Sequence, residues 1–287
     1  IVDSHSILFK SYFAFIKSPR IHSNGLNTSS VLGFANSLLE VLKKIEPTHV
    51  VVAFDTATPT FRKEMYTAYK AHREAQPEDI TVAIPYIQLL LEALRIRFVE
   101  VEGYEADDII GTLADRYASR EAKVYMVTPD KDFAQLVGEH TYLYRPGIGP
   151  QTASLWREEE VRRAWGIEHP SQVVDVLGLW GDASDNIPGV PGIGPKTAQK
   201  LIRTYGSIDN LLKHKYELKG RLPRLLEEYA EQAQLSRRLA QICKTVPLSF
   251  DLDSSWYKTP DAERLVQVWG ELGFRQLPKR ILAMHQA

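Results

Sequence analysis

Residues 48–55 read THVVVAFD and residues 123–132 read KVYMVTPDKD. Each is a short Val-rich run that ends on acid. A run of this length, rich in β-branched residues and without polar alternation, suits a strand buried on both faces, as in a parallel sheet covered by helices. Working outward, the pattern recurs at Ile1–Val2 before Asp3 and at Ile96–Val101 before GYEADD, residues 103–108. Between these runs lie segments with helical periodicity, Ser29–Ile45 and Ile84–Leu94. The expected architecture is an α/β domain with a parallel sheet over residues 1–155. The strand signal fades after about residue 155, so residues 156–287 are expected to form a mainly helical region packed on that core. No internal repeat, low-complexity segment or loose linker separates the two.

Composition narrows the class. The chain has 287 residues, 44% hydrophobic and 25% charged, with 35 Lys+Arg against 36 Asp+Glu. That is ordinary globular make-up and argues against disorder, collagen and coiled coil. No apolar run approaches the roughly 20 residues of a membrane helix. The lone cysteine, Cys243, argues against a disulfide framework or a Cys-rich zinc site and suits a reducing, cytoplasmic interior. The chain opens on Ile1 in a strand already under way, which leads us to expect residues upstream. The net charge of −1 hides an asymmetry: residues 1–175 hold 19 basic and 24 acidic residues, and residues 176–287 hold 16 and 12.

Each expected strand delivers acids to one rim, because ligands of parallel α/β sheets bind outside the carboxyl ends of the strands. Asp3, Asp55, Glu105, Asp107, Asp108, Asp130 and Asp132 occupy those positions, and Asp182 and Asp185 follow in GDASDN. Two carboxylates 4 Å apart repel by about 4 kcal/mol at an effective dielectric near 20. Several converging pairs would rival the roughly 5–15 kcal/mol stability of a domain. Taken singly, such an acid is more simply a cap or a turn residue. Together they call for divalent cations, and an all-oxygen set without His or Cys suits Mg²⁺, with Mn²⁺ as a substitute, rather than zinc. A cluster this acidic needs two or more ions, and two-metal sites typically hydrolyse or transfer phosphate esters.

Two further stretches bear on phosphate. Residues 189–197 read GVPGIGPKT and run into a helix, with Pro195 suited to its first turn. Gly189, Gly192 and Gly194 permit a tight turn whose N–H groups, with the helix N-terminus, can meet a phosphate. Lys196 and Lys200 add charge without base-reading chemistry, so the contact would hold a nucleic-acid backbone of any sequence. A plain Gly/Pro turn is the simpler alternative. Residues 58–79 interleave Phe61, Tyr66 and Tyr69 with Arg62, Lys63, Lys70, His72 and Arg73, a pattern that suits single-stranded nucleic acid. By itself that stretch reads equally as a solvated amphipathic helix. Beside a phosphodiester-cleaving centre, Arg62, Lys70 and Arg73 could stabilise transition-state charge.

The motifs IVDSHS, FDTATPTFR, YKAHR, GYEADD, TPDKD and GDASDNIPGVPGIGPKTA stand in the order and approximate spacing of the 5′-nuclease family. The chain resembles that family, which takes in the nuclease domain of bacterial DNA polymerase I, phage 5′-exonucleases and the flap endonucleases, from Ile1 to about Phe274. The resemblance implies a PIN-like α/β core, a helical arch over about 58–79, and a helix-hairpin-helix-type DNA-binding element over about 186–204. It assigns Asp3, Asp55, Glu105, Asp107 and Asp108 to a first metal and Asp130, Asp132, Asp182 and Asp185 to a second. It makes Lys70 and Arg73 the basic pair at the base of the arch and Arg62 a phosphate contact. Phe9 falls where the family stacks a ring on the terminal base pair, and Lys10 where an Arg is common. The hairpin with Thr197 matches an element that grips duplex phosphates and often binds K⁺. Ser4 and Trp180 replace a usual Gly and Met.

The expected activity is Mg²⁺-dependent, structure-specific 5′ nuclease action on flaps, nicks, 5′-overhang duplexes and RNA primers paired to DNA, in replication and repair. The protein is expected to be a monomer, free or joined to a polymerase. The alternatives are a catalytically inactive module that binds DNA junctions and a related small α/β ribonuclease.

Overall fold

The computed structural model describes residues 1–148 and 151–284. Its core alternates strands and helices: β1 (Val2–Asp3), α1 (Ser4–Phe15), α2 (Ser29–Ile45), β2 (Val51–Ala53), α3 (Phe61–Met65), α4 (Glu78–Ala93), β3 (Arg97–Val99), α5 (Ala106–Tyr117), β4 (Val124–Val127), β5 (Thr141–Arg145) and β6 (Ser154–Trp156). The sheet order is β3-β2-β1-β4-β5-β6, parallel throughout except for β6 at the edge. Val2 lies opposite Val52 and Val127, so β1 sits in the middle and brings Asp3 to the centre of the rim.

Four of the six strands fall where the Val-rich runs place them. β5 and β6 were not anticipated. β5 reads TYLYR, with half-exposed Tyr142 and Arg145 flanking buried Leu143 and Tyr144, so it lacks the continuous apolar run that marks β2 and β4. β6 is three half-buried residues on an open edge.

Six helices follow in the second half of the hairpin-bearing chain: α6 (Glu158–Trp165), α7 (Val173–Trp180), α8 (Pro195–Tyr205), α9 (Ile208–Lys213), α10 (Leu222–Glu228) and α11 (Ala230–Ala240). Their apolar faces, among them Val161, Val176 and Leu201, share one core with Ile109, Leu113 and Met126 of the α/β unit. The last two helices, α12 (Ala262–Glu271) and α13 (Leu277–Met284), go elsewhere. Leu265, Trp269, Leu277 and Ile281 pack with Phe34, Leu38, Ile87 and Leu91 on the opposite face of the sheet. Within residues 156–287, α12 and α13 thus part from the other six helices, because their apolar stripe is buried with α2 and α4. Residues 285–287 of that expected region lie outside the described residues. No described helix is long and apolar enough to cross a membrane.

Of the expected arch over 58–79, α3 supplies five helical residues. Residues 67–72 then form turns, and a stretch without regular structure leads to α4, whose N-cap is Pro77. Residues 66–73 lie as a strap against the loop of residues 182–187. Lys70 N–H donates to the Asp185 carbonyl at 2.9 Å, and Asn186 Nδ2 donates to the Ala68 carbonyl at 2.6 Å.

Candidate functional site

The strand ends build the site. Asp3 closes β1 and also caps α1, accepting from Ser6 N–H at 3.2 Å and from Thr128 Oγ1 at 2.7 Å. Ser4, in place of a glycine, is buried and donates to the Ala53 carbonyl at 2.7 Å, tying β1 to β2. Asp55 follows β2 and accepts from Ala106 N–H at 2.7 Å, which joins it to the start of α5. Its own N–H donates to His5 Nδ1 at 3.2 Å, and burial holds that imidazole below its usual pKa, in the neutral form. Asp130 caps the turn after β4 through Asp132 N–H at 2.9 Å, and Asp182 accepts from Ser184 N–H and Oγ at 2.8 Å each.

These acids form one electrostatic field. Burial, helped by Asp55, raises Asp3 to about 6. Burial and repulsion from Asp3, Glu105 and Asp130 push Asp107 well above the carboxylate range. Burial and repulsion from Asp130 and Asp182 do the same to Asp132, and Asp130 is raised by burial with Asp185 and Asp182 contributing. Asp3, Asp55, Glu105, Asp107, Asp130, Asp132, Asp182 and Asp185 are thus linked, across both halves of the chain.

The basic residues go to the acids. Lys70 Nζ lies 2.8 Å from Glu105 Oε1 and 3.7 Å from Asp185 Oδ2. Arg73 pairs with Asp185 and donates through Nε to the Ser184 carbonyl at 3.1 Å. Burial works against the Lys70 charge, but Glu105, Asp185 and Asp107 more than offset it and raise its pKa. Glu105, despite burial, is held below the usual range by Lys70 and Arg62.

Arg62 and Asp108 depart from expectation. Arg62 is 2% exposed and donates to Asp108 through both terminal nitrogens at 2.8 Å, with further bonds to the Leu239 and Gln241 carbonyls. Asp108 is fully buried and also accepts from Cys243 N–H at 2.8 Å. With every lone-pair direction engaged, the two hold each other, rather than a phosphate and a metal.

As the side chains lie, no group of three or more acids, histidines or cysteines among the described residues is placed to hold an ion. Glu105 and Asp185 are occupied by cationic partners instead. The remaining chemistry fits a hard divalent cation: Asp132 Oδ1 is buried without a hydrogen-bond partner, its neighbours repel it, and all donors are oxygens. Beside the cluster, a cleft of about 330 Å³ is lined by Asp55, Thr58, Lys63, Lys70, Arg73, Tyr104 and Glu105.

The hairpin joins α7 to α8. Gly181 and Gly189 lie back to back with φ of 80° and 60°, and a Cβ on Gly189 would sit 2.4 Å from Gly181 N. Val190 and Ile193 anchor the loop in the core, while Gly192, Gly194, Lys196 and Lys200 are exposed and Thr197 is half-buried. Pro195 is the first residue of α8 and Gly194 its N-cap, which leaves the N–H groups of that first turn facing outward. The Gly189 and Gly192 carbonyls already accept from Gln232 and Arg221, leaving fewer for the expected K⁺. Phe9 and Lys10 lie half-buried on α1, with Lys10 bonded to Gln151.

Sequence reading missed two residues at the site, Thr128 and His5, and named Tyr69 only as an aromatic of a single-strand-binding pattern, not as a partner of the acids. Tyr69 Oη lies 3.2 Å from both Glu105 Oε2 and Asp185 Oδ2. Thr128 and His5 stand within quoted motifs, but a neutral side chain beside an acid gives no signal of its own.

Comparison with known proteins bears on this arrangement. Residues 1–166 match the family model of the 5′-3′ exonuclease N-terminal resolvase-like domain, and residues 168–263 that of the 5′-3′ exonuclease C-terminal SAM fold. The chain is 34% identical to a 5′-3′ exonuclease of Aquifex aeolicus over 98% of its own length and 94% of that protein. It is 39% identical to DNA polymerase I of Bacillus caldotenax over 98% of its length, spanning 32% of that relative. Among solved structures, the fold is similar to a bacteriophage T5 flap endonuclease complexed with DNA and metal ions (TM-score 0.66, 17% identity, 100% and 98% of the two chains). It is also similar to the T5 5′-exonuclease with zinc bound (0.63, 19%, 98% and 97%) and to the catalytic core of Rad2 with a DNA substrate (0.60, 17%, 100% and 91%).

Proposed function

The chain belongs to the 5′-3′ exonuclease family, and from that membership we propose that it is a Mg²⁺-dependent 5′ nuclease that hydrolyses DNA at 5′ flaps, nicks and RNA primers. The observation that carries the reading is the linked field of acids, with the partnerless Asp132 oxygen inside it, beside a cleft edged by Lys63, Lys70 and Arg73. Bound divalent ions supply charge neutralisation and activation of the attacking water. Asp3, Asp55, Asp107, Asp130, Asp132 and Asp182 would hold them, together with Glu105 once its cationic partner has left it. Lys70 and Arg73 line the cleft beside the acids and would stabilise charge that builds on the scissile phosphate. The exposed hairpin and the start of α8 would carry the duplex through backbone phosphates, independent of sequence. Asp108 and Arg62 serve this function from behind, by fixing the start of α5.

The test uses a 5′-labelled flap duplex, a nicked duplex and a plain single strand, each in Mg²⁺ or EDTA. The expected outcome is Mg²⁺-dependent release of the flap at the junction, with little cutting of the single strand. Asp107→Ala combined with Asp132→Ala should abolish cleavage while flap binding in Ca²⁺ survives. Tight binding by the unmodified chain with no cleavage in Mg²⁺ or Mn²⁺ would instead make it a junction-binding module.

A further inference from the structure

Lys70 stands out among the cations of the site. Its backbone lies in the left-handed region, with φ of 52°, although it is neither glycine nor asparagine. Such strain persists only where the surroundings over-determine it, and it gathers at functional sites. Here the surroundings are the bonds from Lys70 N–H to the Asp185 carbonyl and from Asn186 to the Ala68 carbonyl. From this fixed point the side chain reaches back across the Tyr69 ring, and its ammonium bridges Glu105, which follows β3, and Asp185, in the loop after α7.

We propose that Lys70 is a displaceable internal counter-ion: its ammonium occupies the acid cluster while no divalent ion is bound, and leaves Glu105 when one binds. The inference rests on the metal-dependent reading of the cluster. Two cations at its edge, Lys70 and Arg73, leave most of the linked carboxylates unbalanced, so the field still draws a doubly charged ion. A Glu105 oxygen 2.8 Å from an ammonium cannot present the same lone pair to a metal. The strap is seated by main-chain atoms, by Asn186, by Lys63 Nζ on the Tyr69 carbonyl and by Arg73 on Asp185 and Ser184, none of which involves the Lys70 ammonium. Displacement therefore asks only the side chain to move, and leaves the ammonium tethered at the cleft rim. Lys70 thus opposes metal binding as well as serving the phosphate.

Competition of this kind has a signature that a phosphate contact alone lacks. Mn²⁺ affinity would be measured by electron paramagnetic resonance titration of the DNA-free protein. Lys70→Met should bind the first Mn²⁺ on the order of tenfold more tightly than the unmodified chain. Lys70→Arg should stay within about threefold. Lys213→Met, an exposed charge at the end of α9, should change nothing. In the unmodified chain, acetic anhydride should acetylate Lys70 several-fold faster with saturating Mg²⁺ than with EDTA, which tests the displacement without any variant. Equal or weaker Mn²⁺ binding by a folded Lys70→Met, or a labelling rate indifferent to Mg²⁺, overturns the proposal and leaves the metal site standing. Absence of Mn²⁺ binding in every form would overturn both it and the nuclease reading.

Discussion

At the scale of single residues, the acids divide by what surrounds them. Asp132 carries a buried oxygen without a partner in a field of like charge, so its negative charge is a cost to the metal-free fold. Asp132→Asn keeps the shape and removes that charge. It should raise the melting temperature in EDTA by about 2 °C or more and shrink the further rise that Mg²⁺ gives; a lower melting temperature in EDTA would show that the carboxylate is already compensated. Asp108 is the opposite case, since its charge is fully matched. Removing its partner through Arg62→Ala leaves a buried carboxylate unpaired and should cost about 3–5 kcal/mol in urea unfolding. A loss under about 1 kcal/mol would mean that the pair is not structural. This contrast also marks what the sequence could disclose. GYEADD identifies a run of acids at a strand end, but nothing local says that the last is turned inward. That depends on Arg62, 46 residues away, and on main-chain groups at Leu239, Gln241 and Cys243.

Among the elements, the readable ones have a pattern that burial imposes on them. The Val-rich β2 and β4 and the amphipathic α2 were placed correctly because their surroundings demand apolar side chains at fixed spacing. β5 escaped because it lacks a continuous apolar run, and the return of α12 and α13 to the far face escaped because an apolar stripe marks a helix as buried without naming its neighbour. The hairpin was legible because glycine is needed there. Gly189→Ala combines a positive φ with a 2.4 Å clash against backbone and should destabilise the chain by more than 1 kcal/mol. By contrast, Gly194 has open space around it and a negative φ, so Gly194→Ala loses only the N-cap preference and should cost less than Gly189→Ala. The exposed face of the same element makes the functional prediction. Replacing Lys196 and Lys200 together by Ala should weaken duplex binding at every sequence and reduce the salt slope by about 0.9 per lost phosphate contact. An unchanged slope would move the duplex grip to another surface.

The whole molecule brings acids from four strand ends and from the loop after α7 to one rim, so its stability should respond to pH as a collective. An acid whose folded value is raised keeps a proton that the unfolded chain has already released. Deprotonation then favours unfolding, and stability falls as pH rises from the unfolded value through the folded one. Asp3 sets that window at about 4 to 6, between its ordinary 3.8 and its raised value, and Asp107, Asp130 and Asp132 shift in the same direction. Glu105 runs the other way, because Lys70 and Arg62 hold it ionised, and its contribution is lost as pH falls. More of the shifted acids are raised than lowered in the cluster, so the repulsive part governs above pH 6. Divalent ions bind the ionised cluster, and their stabilisation grows with the fraction ionised. Melting temperatures measured from pH 5 to 8 in EDTA and in Mg²⁺ should therefore diverge, with the gap widening as pH rises. Parallel curves would mean that the carboxylates are neutralised within the protein, and that the rim does not act as one site.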